Sequence, residues 1–158
     1  MKKGFFYSLL LMLSFSLMSS TCSSEDEVNS NNNSQTIQQI ETLIQSDQWL
    51  ITNYVDSGQD ETNNFSGYSF TFGADNSLTA NNGINTIVGT WSIIDSSSSD
   101  DDSNSSDNID FNIFFLSPSN FNELSEDWEI VSRTNSKIEL IHISGGNGGT
   151  DNLTFEKI

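Results

Sequence analysis

A run of aspartates between residues 95 and 107 holds the side chains best suited to binding a metal ion. The run contains five Asp, seven Ser and one Asn. Carboxylate oxygens are the ligands that Ca²⁺ prefers, and the candidate ligands are Asp100, Asp101, Asp102 and Asp107. The run lacks the glycine turn and the spaced Asp-x-Asp-x-Asp pattern of an ordered calcium loop. We therefore expect a solvated hairpin loop that binds Ca²⁺ at most weakly, with a dissociation constant of roughly 10⁻⁴ to 10⁻³ M.

Other chemically capable side chains give little support to an enzyme. Glu123, Glu126 and Asp127 precede Trp128, and acids beside a Trp would suit sugar hydrolysis. They fall in a predicted loop without a recognisable partner motif. His142 has no Ser or Cys arrangement that would indicate a catalytic triad, so we expect a hydrogen-bonded histidine at the rim of the fold. The sequence therefore predicts a protein that is not an enzyme.

Composition excludes several further classes. The 158 residues carry 22 acidic and five basic side chains, a net charge of −17, which disfavours nucleic acid as a partner. One Cys allows neither an internal disulfide nor a Cys-based zinc site, and one His excludes a His-pair metal centre. We expect no cofactor beyond weakly bound Ca²⁺. The length suits one domain.

The N-terminus has the pattern of a bacterial lipoprotein signal. Lys2 and Lys3 precede an apolar run over residues 5–18, which is too short to span a bilayer, and the small residues 19–21 lead to Cys22. In such signals the Cys is lipidated and becomes the mature N-terminus. The alternative is a simple secretory signal followed by an unpaired thiol, which is a liability in an oxidising compartment. We predict a signal peptide over residues 1–21 and a membrane anchor at Cys22.

The residues after Cys22 indicate where the anchor lies. Residues 23–27 read SSEDE, which resembles the export signal of Bacteroidota surface lipoproteins; an acidic start to a solvated tether is the alternative. Residues 22–35 are predicted to form a tether whose polar part, 28–35, stays disordered. We therefore expect an outer-membrane protein, exposed at the cell surface, with a folded domain over residues 36–158.

The folded domain is predicted to be mainly β. Thr36 and Gln39 form a capping box, and Ile37, Ile40, Leu43 and Ile44 follow at helical spacing, so a helix of about ten residues opens the domain. Alternating apolar residues and turn signals then predict eight strands. The strands are centred on residues 48–56, 68–72, 77–81, 87–93, 109–115, 128–132, 138–142 and 153–155.

Short strands without intervening helices favour an antiparallel up-and-down barrel, with a two-sheet sandwich as the alternative. In this barrel, Asp56, Asp60 and Glu61 form a second acidic loop, which we place at the same end as the aspartate run. That placement would bring more carboxylates towards the weak calcium site.

Several strands resemble a known family. Residues 48–54 (QWLITNY), 68–72 (YSFTF), the turn at 75–77 (DNS) and residues 89–93 (GTWSI) look like the lipocalin-like domains of Bacteroidota lipoproteins. The chain departs from the family where residues 46–48 (SDQ) lack a common Gly before the Trp, and where Asn76 replaces the usual turn Gly. The resemblance implies a small β-barrel lipoprotein and supplies no catalytic residues.

The function depends on whether aromatic side chains fill the barrel. An eight-stranded barrel is wide enough to be filled by side chains or to hold one small ligand. We predict a non-catalytic binding domain for a small apolar or amphipathic molecule; the alternative is a packed structural or protein-interaction module. By strand parity, the inward residues that would line a pocket are Trp49, Tyr68, Phe70, Phe72, Trp91, Phe111, Phe115 and Trp128.

Overall fold

The computed structural model describes residues 28–96, 109–145 and 149–158. The signal segment, Cys22, the SSEDE run and the aspartates at 100–102 and 107 lie outside these residues, so the predictions made for them are not tested by the fold. The elements are α1 (Val28–Gln45), β1 (Gln48–Asp56), β2 (Gln59–Asp60), a 3₁₀ turn (Thr62–Phe65), β3 (Ser69–Phe72), β4 (Ser77–Asn81), β5 (Thr86–Asp95), β6 (Ile109–Phe114), α2 (Ser119–Asn122), β7 (Asp127–Arg133), β8 (Lys137–Ile143) and β9 (Thr150–Lys157).

The strands form a closed antiparallel barrel. β1 and β3 to β9 pair in chain order, and β9 returns to pair with β1 from Trp49↔Lys157 to Val55↔Asn152. The two-residue strand β2 folds back on the end of β1. The predicted eight-stranded up-and-down barrel with a short N-terminal helix is therefore confirmed, and its closure removes the sheet edges that would otherwise invite strand pairing.

The helix is longer than the sequence predicts. It begins at Val28 rather than Thr36, so the residues 28–35 assigned to a disordered tether are helical, and Thr36 is inside the helix rather than capping it. Contacts with the barrel hold this polar part: Asn33 Nδ2 donates to Asp95 Oδ2 at 3.1 Å, and Arg133 Nη1 donates to the carbonyl oxygen of Thr36 at 3.5 Å. Among the described residues, no helix is long and apolar enough to cross a membrane.

The barrel has two distinct ends. We call the end where β1 begins and β5 ends the helix end, because α1 packs there; the opposite end, where β1 ends and β7 begins, is the α2 end. The prediction that Asp56, Asp60 and Glu61 share an end with the aspartate run is wrong. They follow β1 at the α2 end, whereas the strand ends that flank the run, Asp95 and Ile109, pair at the helix end. Strands alternate in direction, so the first and fourth connections of a meander fall at opposite ends.

Candidate functional site

The predicted lining residues lie inside the barrel. Seven of the eight are at most 3% exposed, and Tyr68 is half-buried against the same core. The seven are Trp49, Phe70, Phe72, Trp91, Phe111, Phe115 and Trp128. The strand parity inferred from the sequence therefore places these side chains correctly, and their contacts with one another indicate whether they leave room for a ligand.

The rings contact one another across the barrel. Phe72 meets Trp91 at 5.5 Å between ring centroids, Phe111 at 5.8 Å and Phe155 at 5.5 Å. Phe155 in turn meets Phe70 at 5.5 Å. All these pairs are close to edge-on, the arrangement that aromatic rings favour. The middle of the barrel is thus occupied by aromatic side chains from four different strands, packed edge to face.

Two further aromatic residues fill the α2 end, and the sequence analysis missed both. Phe65, at the end of the 3₁₀ turn, meets Phe121 of α2 at 5.3 Å, and Phe121 also meets Phe115 at 5.2 Å and Tyr68 at 5.1 Å. Phe65 and Phe121 are 1% exposed. Each is a lone aromatic in a polar loop, which is the signal that could have identified it as core.

Hydrogen bonds fix the three indole rings in this core. Trp49 Nε1 donates to the carbonyl oxygen of Ile44 at 2.8 Å, Trp91 Nε1 to that of Gly73 at 3.0 Å, and Trp128 Nε1 to that of Leu124 at 3.1 Å. Each bond ties a strand to a neighbouring turn or helix. The polar atom of each Trp is satisfied within the fold, so none is left to orient a ligand.

Acidic side chains gather around Tyr54 at the α2 end. Tyr54 Oη donates to the backbone carbonyl of Glu123 at 2.9 Å, and burial, followed by Asp56 and Glu123, raises the pKa of Tyr54. Partial desolvation and the neighbouring Glu61 raise the pKa of the Glu123 carboxyl. Asp151 is buried, and its Oδ1 accepts a hydrogen bond from the Ser57 amide at 2.8 Å. This end therefore presents a strongly negative surface.

His142 lies at the rim of the same end and is hydrogen bonded, as predicted. Its Nδ1 is 3.0 Å from the carbonyl oxygen of Asp127 and 3.2 Å from Asp127 Oδ1, while its Nε2 is 3.5 Å from Glu126 Oε2. Burial lowers the pKa of His142, but the Asp127 carbonyl and the carboxylates of Glu126 and Asp127 outweigh it, so the net shift is upward. Of the three acids that the sequence associated with Trp128, Glu126 and Asp127 thus face the single histidine, whereas Glu123 lies beside Tyr54 and Glu61.

The basic side chains lie at the other end. The chain from Cys22 onward contains only Arg133, Lys137 and Lys157 as cations. Lys137 Nζ is 2.5 Å from Glu139 Oε1, Lys157 Nζ is 3.8 Å from Asp47 Oδ2, and Arg133 reaches the carbonyl of Thr36. Among the residues that the structure describes, no Lys or Arg therefore neutralises the carboxylates at the α2 end.

These features define a small closed β-barrel with a filled interior and an acidic end. No family model matches the chain, and no curated protein matches it. Among solved structures, the crystal structure of a DUF4847 family protein from Bacteroides vulgatus is similar, with 18% sequence identity, a TM-score of 0.46 and alignment over 74% of this chain and 96% of that one. Similarity at this level carries no statement about ligand or activity.

Proposed function

We propose that this protein is a lipoprotein anchored through Cys22 in the outer membrane and exposed at the cell surface. Its barrel is a non-catalytic module that acts through its outer surface and contacts a protein partner. The observation that supports this most is the filled interior, where aromatic rings occupy the space that a small ligand would need.

The packing of the barrel favours this module over a carrier of small molecules. The ring contacts run from Phe65 at the α2 end to Trp91 and Phe111 near the helix end. Ile40 and Ile44 of α1 are buried in the same core, so the helix covers one end of the barrel. An eight-stranded barrel that is filled with side chains in this way has its remaining binding capacity on the outside.

The outer face of β5 and β6 carries apolar side chains that support a protein partner. Val88 of β5 is 63% exposed, Phe114 of β6 is 52% exposed, and Leu116, two residues beyond the end of β6, is 79% exposed. Phe114 pairs with Thr90, two residues from Val88 on the same face of β5, so the apolar side chains lie on neighbouring strands. Neighbouring exposed apolar residues on a soluble domain are typical of protein interaction surfaces.

The anchor would hold this module close to the membrane. Two acyl chains on a lipidated Cys give stable attachment, whereas one chain gives only marginal binding. Helix α1 begins at Val28, six positions after Cys22. Six residues of extended chain span at most about 20 Å, so the barrel would sit near the lipid surface rather than at the end of a long flexible tether.

The occupancy of the interior can be tested with hydrophobic fluorescent probes and fatty acids. All three Trp residues lie in the core, so a ligand entering the barrel would change their emission. We expect no saturable change with the parent protein. The matched positive control is Phe72→Ala, which opens a cavity beside Trp91, Phe111 and Phe155 and should bind small apolar molecules such as benzene. A saturable response of the parent protein would overturn the proposal in favour of a ligand carrier.

A further inference from the structure

His142, Glu126 and Asp127 form the one cluster of three metal-ligating side chains found among the described residues. One ligand atom from each residue lies within 4.8 Å of the others. The residues come from paired strands: His142 is near the end of β8, Asp127 begins β7, and Glu126 precedes it. The carbonyl of Glu126 accepts a hydrogen bond from the Ile113 amide at 3.1 Å, so β6 fixes the backbone of this residue.

The surroundings of the imidazole decide which of its nitrogens is free. A carbonyl oxygen can only accept a hydrogen bond, so His142 Nδ1, 3.0 Å from the carbonyl of Asp127, must carry the proton. In the neutral ring, Nε2 then has a lone pair, and this lone pair faces Glu126 Oε2. These two acceptors face each other and can hold a cation between them.

The distance between these two atoms fits a metal ion. His142 Nε2 and Glu126 Oε2 are 3.5 Å apart. A hydrogen bond between imidazolium and carboxylate is shorter, about 2.7–2.9 Å. Two ligands on one tetrahedral zinc ion, each at about 2.0–2.1 Å, are separated by about 3.4 Å. The separation in the structure therefore matches that of two ligands of one ion.

The ring is also held ready for a ligand. The His142 side chain is 17% exposed, and its ring packs edge-on against Trp128 at 6.2 Å between centroids. A hydrogen bond from the second ring nitrogen to a backbone carbonyl is the usual way in which proteins orient a metal-binding histidine. Since the three cations of the mature chain lie at the helix end, none of them competes for these carboxylates.

We propose that His142 Nε2 and the Glu126 carboxylate bind a divalent transition metal, of which Zn²⁺ fits best, while Asp127 orients the ring from the Nδ1 side. The imidazole nitrogen suits zinc, whereas Ca²⁺ takes oxygen ligands only. Two protein ligands leave the remaining positions of a tetrahedral ion open to water or to groups from a partner. This site depends on neither the lipid anchor nor the filled interior, so a negative result for the site would leave the proposed function unaffected, and the reverse also holds.

The single histidine makes a direct test possible. The full chain carrying Cys22→Ser, which removes the competing thiol, is labelled with ¹⁵N and purified without a histidine tag, so that every imidazole signal belongs to His142. Zinc chloride is then titrated. We expect saturation at one zinc per chain, with a shift of the Nε2 signal while Nδ1 keeps its proton. Unmoved His142 signals at millimolar zinc would overturn the proposal, even if zinc binds elsewhere on the chain.

Variants identify the ligands by calorimetry. His142→Gln and Glu126→Gln should each weaken zinc binding at least about tenfold, since even residues that only support a metal ligand contribute about 10- to 100-fold. Glu129→Gln, an exposed carboxylate on the same strand β7, is the matched control and should leave the affinity unchanged. If both His142→Gln and Glu126→Gln bind zinc as tightly as the parent protein does, and their circular dichroism is unchanged, the proposed site is refuted.

Discussion

Trp49 and Ile44 join the helix to the barrel. The indole Nε1 of Trp49 donates a hydrogen bond to the Ile44 carbonyl at 2.8 Å, and both side chains are completely buried. Lys157 Nζ of the last strand lies 5.3 Å from the centroid of the same indole ring. The final turn of α1, the first strand and the last strand therefore meet at one point. This contact makes the helix part of the barrel's closure rather than an appendage.

We expect Ile44→Ala to destabilise the whole barrel. The substitution leaves a cavity between α1 and the strands, and comparable truncations of buried Ile cost about 2–5 kcal/mol of unfolding free energy. Urea denaturation followed by Trp fluorescence measures the loss. Gln38→Ala, an exposed position on the same helix, should change the unfolding free energy by no more than about 0.5 kcal/mol. Equal effects of the two substitutions would mean that α1 does not contribute to the core.

A second prediction concerns Gly89, which is buried in the middle of β5. A Cβ atom at this position would lie 2.3 Å from the Phe114 carbonyl oxygen and 2.6 Å from Cδ1 of Phe115. Gly89→Ala should therefore force β5 and β6 apart, at a cost of about 1–3 kcal/mol. The control is Gly145→Ala, where an added Cβ has no neighbour within 4 Å. Thermal unfolding of both variants checks the prediction, and similar midpoints would contradict it.

Strand alternation made most of the fold predictable. In β6 the inward residues Phe111 and Ile113 alternate with the outward Asp110 and Asn112, and every predicted strand has a counterpart in the barrel. The start of α1 was not predictable in this way. Asn and Ser have weak helix preference, and the contact between Asn33 and Asp95 joins residues 62 positions apart. The local sequence gives no signal of a contact between residues so far apart in the chain.

The rim cluster could be predicted only in part. The sequence identified Glu126, Asp127 and His142 individually but did not bring them together. Their contact depends on the register of β7 against β8, which an irregularity between Ile130 and Ser132 shifts. A register shift of one residue turns each side chain to the other face of the sheet. No residue type in this segment indicates that the strand is irregular here.

The lipid anchor leads to a fractionation experiment. Cys22→Ser removes the only residue that can be lipidated by the predicted route, so the variant should move from the membrane fraction to the soluble fraction. Gln38→Ala keeps the Cys and should remain with the membranes. Mass spectrometry of the parent's N-terminal peptide should find two or more acyl chains. A Cys22→Ser protein that still sediments with membranes would contradict anchoring at this residue.

The stabilisation of the folded state by calcium binding to the aspartate run can be calculated from the expected dissociation constant. For a dissociation constant of about 10⁻³ M, 10 mM Ca²⁺ would stabilise the folded state by about 1.4 kcal/mol. We expect the melting temperature to rise in Ca²⁺ and this rise to vanish when Asp100, Asp101 and Asp102 are all replaced by Asn. Differential scanning calorimetry measures both. The same rise in the triple variant would place the calcium effect elsewhere on the protein.

The Glu123 carboxyl should make the barrel less stable at neutral pH than in mild acid. Its pKa is raised in the folded protein by partial desolvation and then by Glu61 and Asp56, so the folded state holds this proton more tightly than the unfolded state. The resulting stability is complete below the unfolded pKa of about 4.3 and is lost as the pH rises through the folded pKa. Replacing the Glu123 carboxylate with a neutral side chain should therefore raise the stability of the barrel most at pH values above the folded pKa.

We expect Glu123→Gln to raise the melting temperature at pH 7 and to have less effect at pH 4. The substitution keeps the backbone carbonyl that accepts the Tyr54 hydroxyl, so it changes the charge and leaves that hydrogen bond in place. Glu129→Gln removes an equal charge from an exposed position on β7 and should give a smaller gain at pH 7. If Glu123→Gln instead lowers the melting temperature at pH 7, the Glu123 carboxylate stabilises the α2 end, through a contact that outweighs its repulsion from Glu61 and Asp56.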